Sequence, residues 1–156
     1  MIIRVCNTRP IKPKLLSKII MKWEGTDYSH SIAIFGEWVY ESSSHGCAKV
    51  LLSDFLKKNL IVTEDRREVT PEKYSYLLFK AEKAVIDDIP YGYFNLLGVA
   101  INDVTGLKWF VDGADSMICS EFIFWLFKDE LAIPDEEIDF ISPKDLFKKY
   151  FNMVYV

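Results

Sequence analysis

Histidine and cysteine are scarce in this chain, and each scarcity narrows the chemistry open to it. His30 and His45 are the only histidines among 156 residues, and the three cysteines stand at positions 6, 47 and 119. Three thiols cannot all pair. No CxxC or similarly tight cluster occurs, and His45-Gly46-Cys47 supplies two potential ligands at most, so no metal site is expected. The cysteines read as reduced thiols of a cytoplasmic protein. Seven glycines include no phosphate-cradling loop, so no nucleotide or other cofactor is implied. Basic residues do not prevail either: 19 Lys and Arg stand against 23 Asp and Glu, for a net charge of −4. A duplex-binding protein would normally carry a dominant basic field, so no nucleic-acid partner is expected. Long hydrophobic runs are also missing. Tyr93–Ile101 and Phe122–Phe127 are well short of the roughly 20 residues that span a bilayer. In the N-terminal MIIRVCNTRPIKPK a short apolar stretch precedes the basic residues, the reverse of a secretory signal. A soluble, cytoplasmic chain is expected.

What is present is a strong core composition. Half of the residues are hydrophobic and 15% are aromatic, which is incompatible with disorder. No repeat, low-complexity tract or linker divides the chain, so residues 1–156 read as one domain. Met1–Cys6 predicts a short β-branched strand. Lys14–Trp23 has helical periodicity, with Leu15, Leu16, Ile19, Ile20 and Trp23 on one face and Lys14, Lys18 and Lys22 on the other. That lysine stripe reads as a solvated face, or as one able to meet an anionic surface. Ser29–Phe35 and Trp38–Ser43 alternate around Gly36-Glu37, a hairpin pattern with Gly where a type II′ turn needs it. Val50–Lys58 predicts a short helix and Leu60–Val69 a strand. Thr70-Pro71-Glu72 opens a helix reaching about Ile86, with Thr as N-cap and Pro at the first helical position. Tyr93–Asn102 predicts a buried helix. Another should run from about Met117 to Asp129, capped by Asp115 or Ser116. Ser142-Pro143-Lys144-Asp145 starts a final helix, and Met153–Val156 a last strand. Helices around a mostly antiparallel sheet make the fold class α+β.

The chemistry centres on Cys119. It stands where a polar segment gives way to the apolar helix Phe122–Phe127, in the positive field of a helix N-terminus, which favours the nucleophilic thiolate. Cys6 and Cys47 precede no convincing helix and are weaker candidates. A base has to come from one of the two histidines, both far upstream. If Gly36 and Glu37 form a two-residue loop, Phe35 faces Trp38, Ile34 faces Val39 and Ile32 faces Glu41. His30 shares a face with Ile32 because side chains repeat every two residues. His30 and Glu41 are then diagonal neighbours about 7–8 Å apart by backbone, within reach of a side-chain hydrogen bond. A carboxylate on one imidazole nitrogen fixes the tautomer and leaves the other nitrogen for a thiol. A one-residue change in loop length would send Glu41 to the opposite face. Each residue alone has a plainer meaning: a packed strand histidine, a small hydrophobic thiol, a solvent-facing glutamate. His45, in a loop after three serines, is the alternative base.

The segments carrying these residues resemble the permuted papain-like branch of the NlpC superfamily, and within it YiiX-type proteins. Trp23-Glu24-Gly25-Thr26-Asp27-Tyr28-Ser29-His30-Ser31-Ile32-Ala33-Ile34 is similar to the family's strand motif, in which an aromatic-Ser-His triplet leads an apolar strand. Trp38-Val39-Tyr40-Glu41-Ser42 resembles the following strand, and His45-Gly46 falls where the family often has a glycine-rich turn. Ile118-Cys119-Ser120-Glu121-Phe122 is similar to the Cys-Ser-Glu signature of the nucleophile helix. Tyr91-Gly92-Tyr93-Phe94-Asn95 loosely echoes an aromatic segment before it, and Ile141-Ser142-Pro143-Lys144-Asp145-Leu146 a C-terminal Ser-Pro-x-Asp-Leu element.

The resemblance implies a circularly permuted papain-like fold and a cysteine hydrolase, an amidase or peptidase. Cys119 would be the nucleophile, His30 the general base and later acid, and Glu41 the residue that orients His30. The expected substrate is a peptide, an amide or an acyl-lipid, cleaved through a thioester. The backbone N–H of Cys119 is a candidate oxyanion donor. Tyr28, beside the base, is the candidate for a second donor and for substrate contact. Two alternatives share the scaffold: a lipid acyltransferase, and a catalytically silent binding module.

Overall fold

The computed structural model describes residues 1–92, 116–134 and 143–156. Six strands form one sheet in the order β4-β3-β2-β1-β5-β6, and every neighbouring pair is antiparallel. The strands are β1 (Ile2–Pro10), β2 (His30–Phe35), β3 (Trp38–Ser43), β4 (Gly46–Leu51), β5 (Asn59–Glu68) and β6 (Val154–Tyr155). Five helices accompany them among the described residues: α1 (Leu15–Glu24), α2 (Leu52–Leu56), α3 (Pro71–Ile86), α4 (Cys119–Leu131) and α5 (Pro143–Tyr150). The class is α+β, as the alternating segments require. None of these helices is long and apolar enough to cross a membrane.

Strand alternation gives the sheet two buried faces. Ile3, Val5, Ala33, Phe35 and Tyr40 face α3, α4 and α5. Cys6, Ile32, Ile34 and Val39 face the other way and meet Phe55 of α2. The first face carries the larger core, because α4 contributes Phe122, Ile123, Phe124, Leu126 and Phe127, all fully buried. Full burial of each such side chain contributes roughly 1.5–3 kcal/mol relative to exposure. A polar ladder crosses three strands on the same face: Ser31 Oγ donates to Asn7 Oδ1 at 3.0 Å, and Asn7 Nδ2 donates to Thr63 Oγ1 at 3.1 Å. The ladder thereby satisfies Ser31, Asn7 and Thr63 beside the point where β1 shifts register against β5, between Asn7 and Thr8.

Local signals hold well in the hairpin and in α3. Phe35 pairs with Trp38 and Ile34 with Val39, as the two-residue loop predicts. Gly36 adopts φ +60° while Glu37 stays out of the positive region, the combination a type II′ turn needs. Thr70 caps α3 by accepting the Lys73 N–H at 3.3 Å, with Pro71 at the first helical position.

Four expectations need correction. Met1–Cys6 is part of a strand that continues to Pro10, because β2 and β5 flank it on both sides. Val50–Lys58 is not one helix: Val50 and Leu51 end β4, which completes the β3 edge, and α2 holds five residues. The cysteine helix begins at Cys119 with Ile118 as cap, not Asp115 or Ser116. Finally, the apolar stripe of α1 does not enter the core. The helix buries Ile20 and Glu24, while Leu15, Leu16 and Ile19 stay exposed. The helix expected over Tyr93–Asn102 lies outside the described residues.

Candidate active site

Two neighbouring residues of β3 hold the two halves of the site. Consecutive strand side chains point to opposite faces, so Glu41 and Ser42 reach in opposite directions. Glu41 Oε2 lies 2.5 Å from His30 Nε2, with 13% of the Glu41 side chain and 20% of the His30 side chain exposed. Ser42 Oγ, fully buried, donates to the Met117 carbonyl at 2.6 Å. Met117 also donates its N–H to Pro90 O at 3.0 Å and accepts from Gly92 N–H at 3.2 Å. This parallel bridge between Tyr91 and Met117 keeps the chain extended up to Ile118, so the helix cannot start earlier.

Helix α4 then opens on Cys119. Ile118 has no side chain able to cap, and Glu121 substitutes for one: its Oε2 accepts the buried Ile118 N–H at 2.7 Å. This is the carboxylate half of a capping box, and it accounts for the glutamate two residues after the cysteine. Cys119 itself is buried. Its thiol is close enough to the His30 imidazole to raise the pKa of that ring. Glu41 occupies Nε2, so a second partner of the ring can be met only at Nδ1.

The electrostatics of His30 follow from these contacts. Burial alone would lower its pKa, but hydrogen bonding to Cys119 and then to Glu41, together with their negative charge, raises it to about 10. The imidazolium is therefore the favoured form at neutral pH. The other cysteines have the opposite environment. Burial pushes Cys6 up to about 12, and burial pushes Cys47 to about 11 despite the opposing influence of the neighbouring Ser42. Both thiols stay protonated and unreactive across the physiological range.

The turn between β3 and β4 positions the rest. Gly46 takes φ +90°, and a Cβ on it would sit 2.8 Å from the Ile89 carbonyl oxygen. Cys47 N–H donates to that same oxygen at 2.9 Å. A glycine is needed for the 89–92 segment to approach closely enough to hold Met117. His45 stands exposed in this turn, with Nδ1 3.2 Å from Ser44 Oγ. Tyr28 is half-buried, with its pKa raised to about 12 by burial and by the charges of Glu24, Tyr155 and Asp145. These neighbours put it at the C-terminal end of α1 rather than among the residues lining the cavity next to His30.

That cavity has a volume of about 680 Å³ and is lined by His30 and Glu41 together with Ser29, Tyr91, Ile20 and Leu16. Among the described residues, the Ser29 hydroxyl is buried without a hydrogen-bond partner, as is that of Ser120, next to Cys119 in α4. Lys12, Lys14, Lys57 and Lys58 also line the cavity. Among the described residues no group of three His, Cys, Asp or Glu side chains is placed to hold a metal ion. Sequence reasoning missed Ser42 and the cavity lysines. Ser42 had a signal: in strand alternation it shares the core-facing side with Tyr40, where a small polar residue needs a partner. The lysines had none, since they come from separate segments. No model of a known protein family matches the chain, and no curated protein matches it.

Proposed function

We propose that the protein is a cysteine-dependent hydrolase on a permuted papain-like scaffold, cleaving an amide or ester bond through a thioester. The observation that carries this reading is the convergence of Cys119, His30 and Glu41, with the thiol at a helix start and the imidazole held between thiol and carboxylate. The chain order His, Glu, Cys agrees with the permuted form of the scaffold.

In the proposed reaction the Cys119 thiolate, balanced by the His30 imidazolium, attacks the substrate carbonyl and forms the C–S bond. The resulting oxyanion is met by backbone N–H groups at the α4 start, which have no acceptor within the helix. The intermediate collapses, the bond to the leaving group breaks, and His30 gives that group its proton. Neutral His30 then takes a proton from water as the oxygen attacks the thioester. Collapse of the second intermediate releases the acid and restores the ion pair. Glu41 holds the ring and stabilises its charged form without exchanging a proton.

The test is the rate of Cys119 alkylation by iodoacetamide as a function of pH, in a protein with Cys6 and Cys47 replaced by serine. Alkylation should persist well below the usual thiol pKa of about 8.5, and His30→Ala should abolish that low-pH reactivity. An ordinary titration, indifferent to His30→Ala, would remove the proposal. A screen of acyl amides and esters, read by mass spectrometry for an acyl adduct on Cys119, then identifies the substrate.

A further inference from the structure

We propose that α1 and the adjacent 57–58 turn form a docking surface for an anionic lipid bilayer. The inference is independent of the hydrolase reading. It starts from the outward face of α1. Leu15 is 75% exposed and Ile19 54% exposed, and residues four apart lie one above the other on a helix. Lys18 and Lys22 occupy the same outward sector at 3.6 residues per turn, beside the two apolar side chains rather than opposite them. Leu16 and Ile11 extend the apolar patch and are also exposed. Ile20 and Glu24 are the buried residues of this helix.

Charge identifies what covers this face. Lys18 and Lys22 flank the patch, Lys12, Lys14 and Lys58 line the adjoining cavity, and none of the five has an ion-pair partner among the described residues. Lys57 alone is paired, with Asp54 at 2.6 Å. A local cluster of lysines in a chain of net charge −4 is a concentrated feature. Leucine and isoleucine flanked by lysines suit a lipid interface, where apolar side chains enter the acyl boundary and ammonium groups reach the headgroups. A second copy of this chain is a poorer occupant, because a two-fold contact would set lysines against lysines. A nucleic-acid backbone would use the lysines but not Leu15 and Ile19. The arrangement also has a functional corollary: Leu16, Lys14 and Lys58 line the cavity that holds His30, so the docked helix is one wall of that cavity.

The test is co-sedimentation of the full chain with vesicles of phosphatidylcholine alone and with vesicles containing phosphatidylglycerol. Binding is expected to the anionic vesicles and not to the neutral ones, and it should weaken with added salt. Leu15→Glu with Ile19→Glu should lower partitioning about tenfold or more with an unchanged thermal midpoint, since both residues are solvent-exposed. Lys12→Gln and Lys58→Gln should each cost about fivefold. The proposal is overturned by absence of binding to anionic vesicles, or by binding that Leu15→Glu with Ile19→Glu leaves intact. A dimer in sedimentation velocity that this double variant dissolves would assign the face to a second copy instead. Binding to a short DNA duplex that needs the lysines but not Leu15 and Ile19 would also overturn it.

Discussion

Helices α4 and α1 begin from similar material and end in opposite situations. Both are rich in large apolar residues, yet α4 buries eight residues while α1 buries two, Ile20 and Glu24. The difference lies in what holds each entry. The chain before α4 is fixed by the Ser42 hydroxyl, by the Pro90 and Gly92 backbone and by the Glu121 carboxylate. The chain before α1 has Lys14 as N-cap, with no side chain capping the helix. A helix that must present one sulfur atom to one imidazole needs its origin fixed. A helix that meets a fluid surface does not.

The largest effect expected from this contrast is in the core. Phe124→Ala should destabilise the protein by about 3–5 kcal/mol, and Leu15→Ala should change stability by less than about 0.5 kcal/mol. Denaturant midpoints measure both, and equal losses would mean that α1 packs as α4 does. Next in size is the turn that lets the 89–92 segment approach. Gly46→Ala places a Cβ against the Ile89 carbonyl at a backbone angle unfavourable to alanine, and should cost about 1–3 kcal/mol. A neutral result would show that the segment can retreat without loss.

Ser42→Ala removes a buried donor and leaves the Met117 carbonyl with the Gly92 N–H, for a loss of about 1–2 kcal/mol. The more telling readout is the Cys119 alkylation rate, which should fall because the helix start is released. Unchanged alkylation would mean that Ser42 stabilises the fold without positioning the sulfur.

A pH dependence gives a separate test of the site. His30 is raised from 6.5 to about 10 in the folded protein. A base raised in this way binds its proton more tightly when folded, so its contribution is complete below pH about 6.5 and disappears as pH rises toward 10. Urea midpoints of the wild type should therefore fall across that window more than those of His30→Ala. Parallel curves would show that the Cys119 and Glu41 contacts do not hold the charge. Glu64 adds the opposite slope at low pH. Burial would raise its pKa, but Arg4 and Arg66 outweigh that and lower it, so its contribution is lost on acidification below the ordinary glutamate range.

Much of the fold was legible because the signals were local. Thr70-Pro71 reads as a cap and first helical residue whatever lies around it, and Gly36 marks the hairpin turn. Strand β4 was not legible. Gly46–Leu51 is short and weakly alternating, and it becomes a strand because the β3 edge offers unpaired backbone groups. The α4 cap failed for a related reason. Asp115 and Ser116 look like caps, but pairing of Met117 with Pro90 and Gly92 delays the helix to Ile118. Helix α1 shows a third limit: its periodicity identifies an apolar stripe but not what covers it.

The sequence by itself determined that His30 and Glu41 meet, because a two-residue turn and a two-residue side-chain period fix that geometry within fourteen residues of chain, from Ser29 to Ser42. It also determined that Cys119 opens a helix, to within two residues. Only the tertiary structure decided that the Cys119 sulfur reaches the His30 ring and that Cys6 and Cys47 are shut away. Those outcomes depend on packing α4 across the sheet and on the desolvation that packing imposes, and no local period encodes either.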